Sequence, residues 1–189
     1  MLDMINLTDE QIRKIKKFAL DFYSKKNFLH KESHAKRTVK IAEYIAKKEG
    51  MNLKLVRLGA LLHQFHDHEN KLINFLKKLK VPKPEIEKLV HFAKFRPNRG
   101  PIKPMFPEVK AVYDADAFQL LAPFGTLRLY AEGVMKYQDM NKAVEYVRKT
   151  KKKFFKNLQT KTARQLIKKP QMLADEFLRL YDKEEKGDY

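Results

Sequence analysis

Two histidines and an aspartate stand on separate apolar stripes of this sequence. In "ESHAKRTVKIAEYIAKKEG", His34, Thr38, Ile41 and Ile45 follow i, i+4, i+7, i+11 spacing, so His34 opens the stripe, with Arg37 one turn along. In "RLGALLHQFHDHEN", Leu58, Leu61, Leu62 and Phe65 form an apolar face that His63 borders. In "EVKAVYDADAFQLL", Val109, Val112, Asp116 and Leu120 share one face, and Asp114 points roughly the other way. A carboxylate on a core-facing stripe is costly unless it is paired or meets a cation. Each residue alone has an ordinary structural role open to it, an arginine partner for the acid or a backbone carbonyl for each imidazole. Together they form the donor set that a borderline divalent metal takes when no thiolate is offered. The chain has no cysteine, so thiolate sites and disulfides are excluded.

The elements that must position these side chains are helical. A Thr8 cap precedes "DEQIRKIKKFALDFYSK", with Ile12, Ile15, Phe18 and Phe22 on its apolar face. A second helix runs to Gly50, a third covers about 53–67, a fourth carries "KLINFLKKL", and "EIEKLVHFAKF" is a fifth. Residues 96–107 hold four of the eight prolines and form the one long irregular loop. Helix resumes at 108, breaks near Pro123 and continues to the end in two or three pieces. The expected fold is an all-α, compact helical bundle, a single domain over residues 1–189 with its core at about 10–185.

Forty-one Lys and Arg against 23 Asp and Glu give a net charge of +18, a surplus that attracts polyanions or reflects lysine-rich composition alone. More than half of it lies in "RKTKKKFFKNLQTKTARQLIKK", 148–169, with ten basic residues and no acid. Basic residues beside Phe154 and Phe155 suit nucleic-acid phosphates and bases; phenylalanines at helical spacing also suit a core, with the lysines as its solvated face. The polar N-terminus is not a signal peptide and no apolar run reaches membrane-spanning length, so a cytoplasmic location with no membrane partner is expected.

The order His34-x-x-Arg37, then "ALLHQ" at 60–64, then "DAD" at 114–116 resembles the HD superfamily of metal-dependent phosphohydrolases, in particular its single-domain uncharacterised hydrolases. The likeness continues in Asp67, His91, Gly125, Arg128 and the Thr160 and Arg164 pair, and covers roughly residues 10–185. It implies one divalent ion (Mn, Ni, Fe, Co, Mg or Zn) on His34, His63 and Asp116. Arg37 and Arg128 would grip a substrate phosphate, and His91 would contact phosphate or donate a proton to the leaving group. The implied substrate is a nucleotide or another phosphorylated small molecule.

The sequence departs from that pattern at Gln64, where the resemblance calls for the aspartate of a His-Asp doublet. An amide coordinates through its oxygen but brings no charge, which weakens a divalent site. Asp67, at i+4 from His63, could replace the missing carboxylate, His66 at i+3 could add a nitrogen, or the helix could end there in solvent. Two functions therefore stand: a hydrolase weakened by Gln64, or a degenerate HD domain that binds a nucleotide or nucleic acid without catalysis.

Overall fold

The structure, a computed structural model, describes residues 5–26, 31–95 and 104–188. The described residues are helical and include no strand, so the all-α expectation holds. Two compact units divide the chain that the sequence reading takes as one, Met1–Ala115 and Asp116–Tyr189.

In the first unit, α1 (Asp9–Ser24) begins where the sequence places it. Thr8 and Gln11 form a reciprocal capping box, each side chain accepting the other's backbone N–H. Then follow α2 (Glu32–Lys48), α3 (Leu53–Leu62), a 3-10 segment (His63–Asp67), α4 (Glu69–Lys78) and α5 (Lys83–Lys94). Helix α3 is the central element. Leu55, Val56, Leu58, Gly59, Ala60, Leu61 and Leu62 are all buried, and a helix apolar on every side belongs inside. It packs against α1, α2 and α5. A Cβ on Gly59 would lie 2.4 Å from the Phe92 ring, so glycine is what lets α5 approach this closely.

The third helix does not run unbroken to 67. It ends at Leu62 and tightens into the 3-10 segment, in which Phe65 is fully buried. Phe65 stacks on Phe22 (ring centroids 4.0 Å) and on Phe18 (5.2 Å), which anchors the segment against α1. On α2, the buried stripe is His34, Ala35, Thr38, Ala42, Ile45 and Ala46; Ile41, expected on it, is half-buried.

Helix α6 (Pro107–Leu121) runs without a break from one unit into the other. Its buried Glu108 accepts the backbone N–H of Asn52 (3.0 Å), the residue whose side chain caps α3. The helix is not one-faced: Val109, Ala111, Val112, Tyr113, Ala115, Ala117 and Leu121 are all buried. Of the proline-rich loop expected at 96–107, residues 96–103 lie outside the described residues.

The second unit holds the end of α6 with α7 (Pro123–Tyr137), α8 (Met140–Lys156), α9 (Lys161–Leu166) and α10 (Lys168–Lys186), four helices after Pro123 where two or three pieces were expected. Gly125 faces the last turn of α6, where a Cβ would fall 1.7 Å from the Gln119 carbonyl oxygen. Gly133 lets α7 meet α8 at Ala143. Buried Lys151 donates to the Leu121 carbonyl (2.6 Å) and the Thr126 hydroxyl (3.0 Å), so its ammonium serves a C-terminal carbonyl of α6.

Candidate metal centre

His34 sits in the first turn of α2 and is 1 % exposed. His63 begins the 3-10 segment, where the chain leaves α3, and is also buried. Its Nδ1 lies 2.7 Å from the Ala60 carbonyl oxygen. A carbonyl only accepts, so Nδ1 carries the proton and Nε2 keeps its lone pair. Tyr23, fully buried on α1, places its hydroxyl 3.3 Å from the same Nδ1. The imidazole is thereby held by groups on its far side with its coordinating nitrogen turned away from them, the outer-shell arrangement typical of a metal-ligating histidine.

That nitrogen faces His34: the two Nε2 atoms are 3.3 Å apart. Two nitrogens this close need a proton or a cation between them. Two metal–nitrogen bonds of about 2.1 Å place their nitrogens about 3.0 Å apart at a right angle and about 3.4 Å apart at a tetrahedral one. The observed separation falls in that interval. Asp116, half-buried on α6, completes a group in which one ligand atom from each of His34, His63 and Asp116 lies within 4.8 Å of the other two. The donor set is two imidazoles and a carboxylate, so these residues fit a borderline divalent ion.

Gln64 is at the same place. Its amide Nε2 lies 2.9 Å from His63 Nε2, where it donates to the lone pair an ion would use. A half-turn of the amide exchanges nitrogen for oxygen at almost the same point, since the two ends have nearly the same shape. Gln64 can therefore present an oxygen toward the centre, and it presents it without charge.

Asp67 is not in this group. On an α-helix it would share a face with His63, but the segment is 3-10. With three residues per turn, His66 eclipses His63 and residue 67 is turned about 120° away. The Asp67 side chain is exposed and meets His66 Nε2 (2.9 Å). Asp114, expected to face away from the core, is fully buried, because α6 is enclosed on nearly all sides. Tyr23 was not anticipated; a tyrosine beside the apolar face of α1 gives no sign of where its hydroxyl points.

The expected phosphate contacts occupy different elements. Arg37 is half-buried on α2 one turn from His34, and burial pushes its guanidinium below the usual range, although arginine stays charged. Arg128 is half-buried on α7. His91 is buried on α5, and its Nε2 accepts the backbone N–H of Met105 (3.2 Å). Burial, reinforced by Lys94, pushes the His91 imidazole below its ordinary value.

A buried imidazole pair with a half-buried carboxylate, carried on α2, on the segment after α3 and on α6, is a group that could hold a metal ion in a helical fold. Residues 32–121 match the HD domain, which supports the HD superfamily for this chain. Solved structures share the fold. The Lin1889 protein of Listeria innocua is 24% identical, with 94% of this chain and 97% of that one covered at a TM-score of 0.75. YpgQ of Bacillus subtilis, in complex with ADP, is 22% identical over 93% and 95% of the two chains, also at 0.75. An HD-superfamily hydrolase of Bacillus thuringiensis is 24% identical over 94% and 97%, at 0.74. Among curated proteins none matches this chain.

Proposed function

We propose that this protein is a metal-dependent phosphohydrolase acting on a nucleotide or another phosphate ester, with its activity weakened by Gln64. The observation that carries this reading is the convergence of His34, His63 and Asp116. These three residues would hold the ion, with the Gln64 carbonyl oxygen as a neutral fourth donor. A divalent ion held there supplies Lewis acidity toward a phosphoryl oxygen and makes water more acidic.

The remaining roles belong to the chain's own residues. Ala60 and Tyr23 keep His63 in the tautomer that coordinates. Arg37 and Arg128 bind the substrate phosphate, where a planar guanidinium can make paired hydrogen bonds. In neutral His91, Nε2 is taken by Met105, so Nδ1–H is the end left to donate to a phosphate oxygen. Its depressed pKa favours this contact over the proton-donor role. Asp67 would have to leave His66 to serve as a carboxylate at the centre. The ADP complex of YpgQ supports a nucleotide as the phosphate ester.

The neutral amide at Gln64 supports a second reading, a nucleotide-binding HD domain without turnover. Metal analysis after incubation with manganese, nickel or iron tests the first, with release of phosphate from a nucleotide panel that includes ADP. The wild-type protein is expected to carry the metal and His63→Ala to lose it. Absence of metal from the wild type under all three conditions rejects both the centre and the hydrolase. Bound metal and bound nucleotide without phosphate release select the second reading.

A further inference from the structure

Helix α8 divides its residues in a way that the basic run of the sequence does not show. Ala143, Val144, Val147, Lys151 and Phe154 are buried, whereas Phe155 is 40% exposed. The two adjacent phenylalanines thus part company, one into the core and one at the surface. Phe155 lines a cavity of about 570 Å³ within the second unit, together with Arg148, Lys152 and Lys156 of α8 and Gln171 and Asp175 of α10.

The charges of this cleft leave a positive surplus. Arg148 pairs with Asp182 (2.6 Å) and donates to the Leu178 carbonyl. Asp175 accepts the Gln171 amide N–H (2.5 Å). Among the described residues, Lys152 and Lys156 form no ion pair. The cleft also holds an acceptor in want of a donor. Gln171 Oε1 is buried and has no hydrogen-bond partner among the described residues, a state that costs free energy until an N–H is supplied. The occupant that answers all three features carries several negative charges, a flat ring for Phe155 and an N–H for Gln171.

Arg148, Lys152 and Lys156 recur every four residues, so they form a row along α8 about 12 Å long, at a rise of about 1.5 Å per residue. Such a row matches successive phosphates on a strand better than the compact phosphate group of one mononucleotide. Along the sequence, Lys161, Arg164, Lys168 and Lys169 follow with no acid between. We propose that the cleft between α8 and α10 binds single-stranded nucleic acid, with Lys152 and Lys156 on backbone phosphates, a base stacked on Phe155, and a base N–H donated to Gln171. This site uses none of the residues of the metal centre and does not depend on the hydrolase reading.

Fluorescence anisotropy with labelled 20-nucleotide oligo(dT) and oligo(U), from about 50 to about 200 mM salt, tests it. The wild type is expected to bind at low salt and to weaken steeply as salt rises. Lys152→Ala/Lys156→Ala should flatten the plot of log K against log salt by about 1.4, or about 0.7 for each single-strand phosphate that the variant leaves without its lysine. Phe155→Ala should weaken binding about tenfold. Gln171→Leu should weaken it too, and all variants should keep the wild-type circular dichroism. His63→Ala should bind as the wild type does. No binding at low salt overturns the proposal, as does a double lysine variant with an unchanged slope. Full competition by equimolar ADP, or loss of binding in His63→Ala, also overturns it, by assigning the signal to a mononucleotide site or to the metal centre.

Discussion

At the scale of single residues, the chemistry turns on one charge. His63 is held by the Ala60 carbonyl with Nε2 facing His34, an arrangement of the imidazole pair that fits a cation. In the proposed centre, Gln64 stands where the resemblance calls for a carboxylate. Gln64→Asp restores that charge, and it is expected to raise Mn²⁺ affinity in titration calorimetry by about 100-fold, at the upper end of the range known for outer-shell partners, because this residue would contact the ion directly. Unchanged affinity would show that residue 64 does not face the ion. His34, His63 and Asp116 were legible in the sequence because each interrupts an apolar stripe. Asp67 and Asp114 were not, since regular one-faced helices would place them differently, and the chain is 3-10 at one and enclosed all round at the other.

At the scale of elements, local chemistry set most helix starts and stops. Thr8 caps α1, Pro123 opens α7, and Gly50 takes the positive φ (+68°) just past α2. The end of α3 was not legible, because nothing in "LLHQFHD" breaks a helix. Packing of Phe65 against α1 accompanies the tightened turn there. Helix α8 shows a second element-scale effect, in that Lys151 lies among its buried residues and serves the end of α6. Burial pushes its ammonium down to about 8 from 10.5. Between those two values the unfolded chain holds a proton that the folded one has released, so this lysine's contribution to stability rises with pH across that window and is lost as pH falls through about 8. Compared with Lys151→Met, the wild type should gain up to about 3 kcal/mol in denaturant unfolding between pH 7 and pH 10. A constant difference between the two proteins would mean that the ammonium is solvated.

For the molecule as a whole, the dominant quantity is a net charge of +18. The described residues contain ion pairs, several of them i,i+4 pairs on exposed helix faces such as Lys14–Glu10 and Lys149–Glu145, which contribute little. Like-charge repulsion across the chain is therefore only partly offset. Raising NaCl from 0.01 to 0.1 M shortens the Debye length from about 30 to about 10 Å, and the melting temperature is expected to rise by a few degrees. A fall would mean that the ion pairs outweigh the repulsion. No described helix is long and apolar enough to cross a membrane.

What the sequence determined by itself is the helical class, the starts of several helices and the three candidate ligands, because caps, prolines and interrupted stripes act over a few residues. The tertiary structure alone decided that His34, His63 and Asp116 share one neighbourhood, that Gln64 faces it while Asp67 does not, and that Phe155 stays at the surface while Phe154 is buried. Those outcomes depend on how separate helices close against one another, and periodicity along a single helix carries no record of its neighbours.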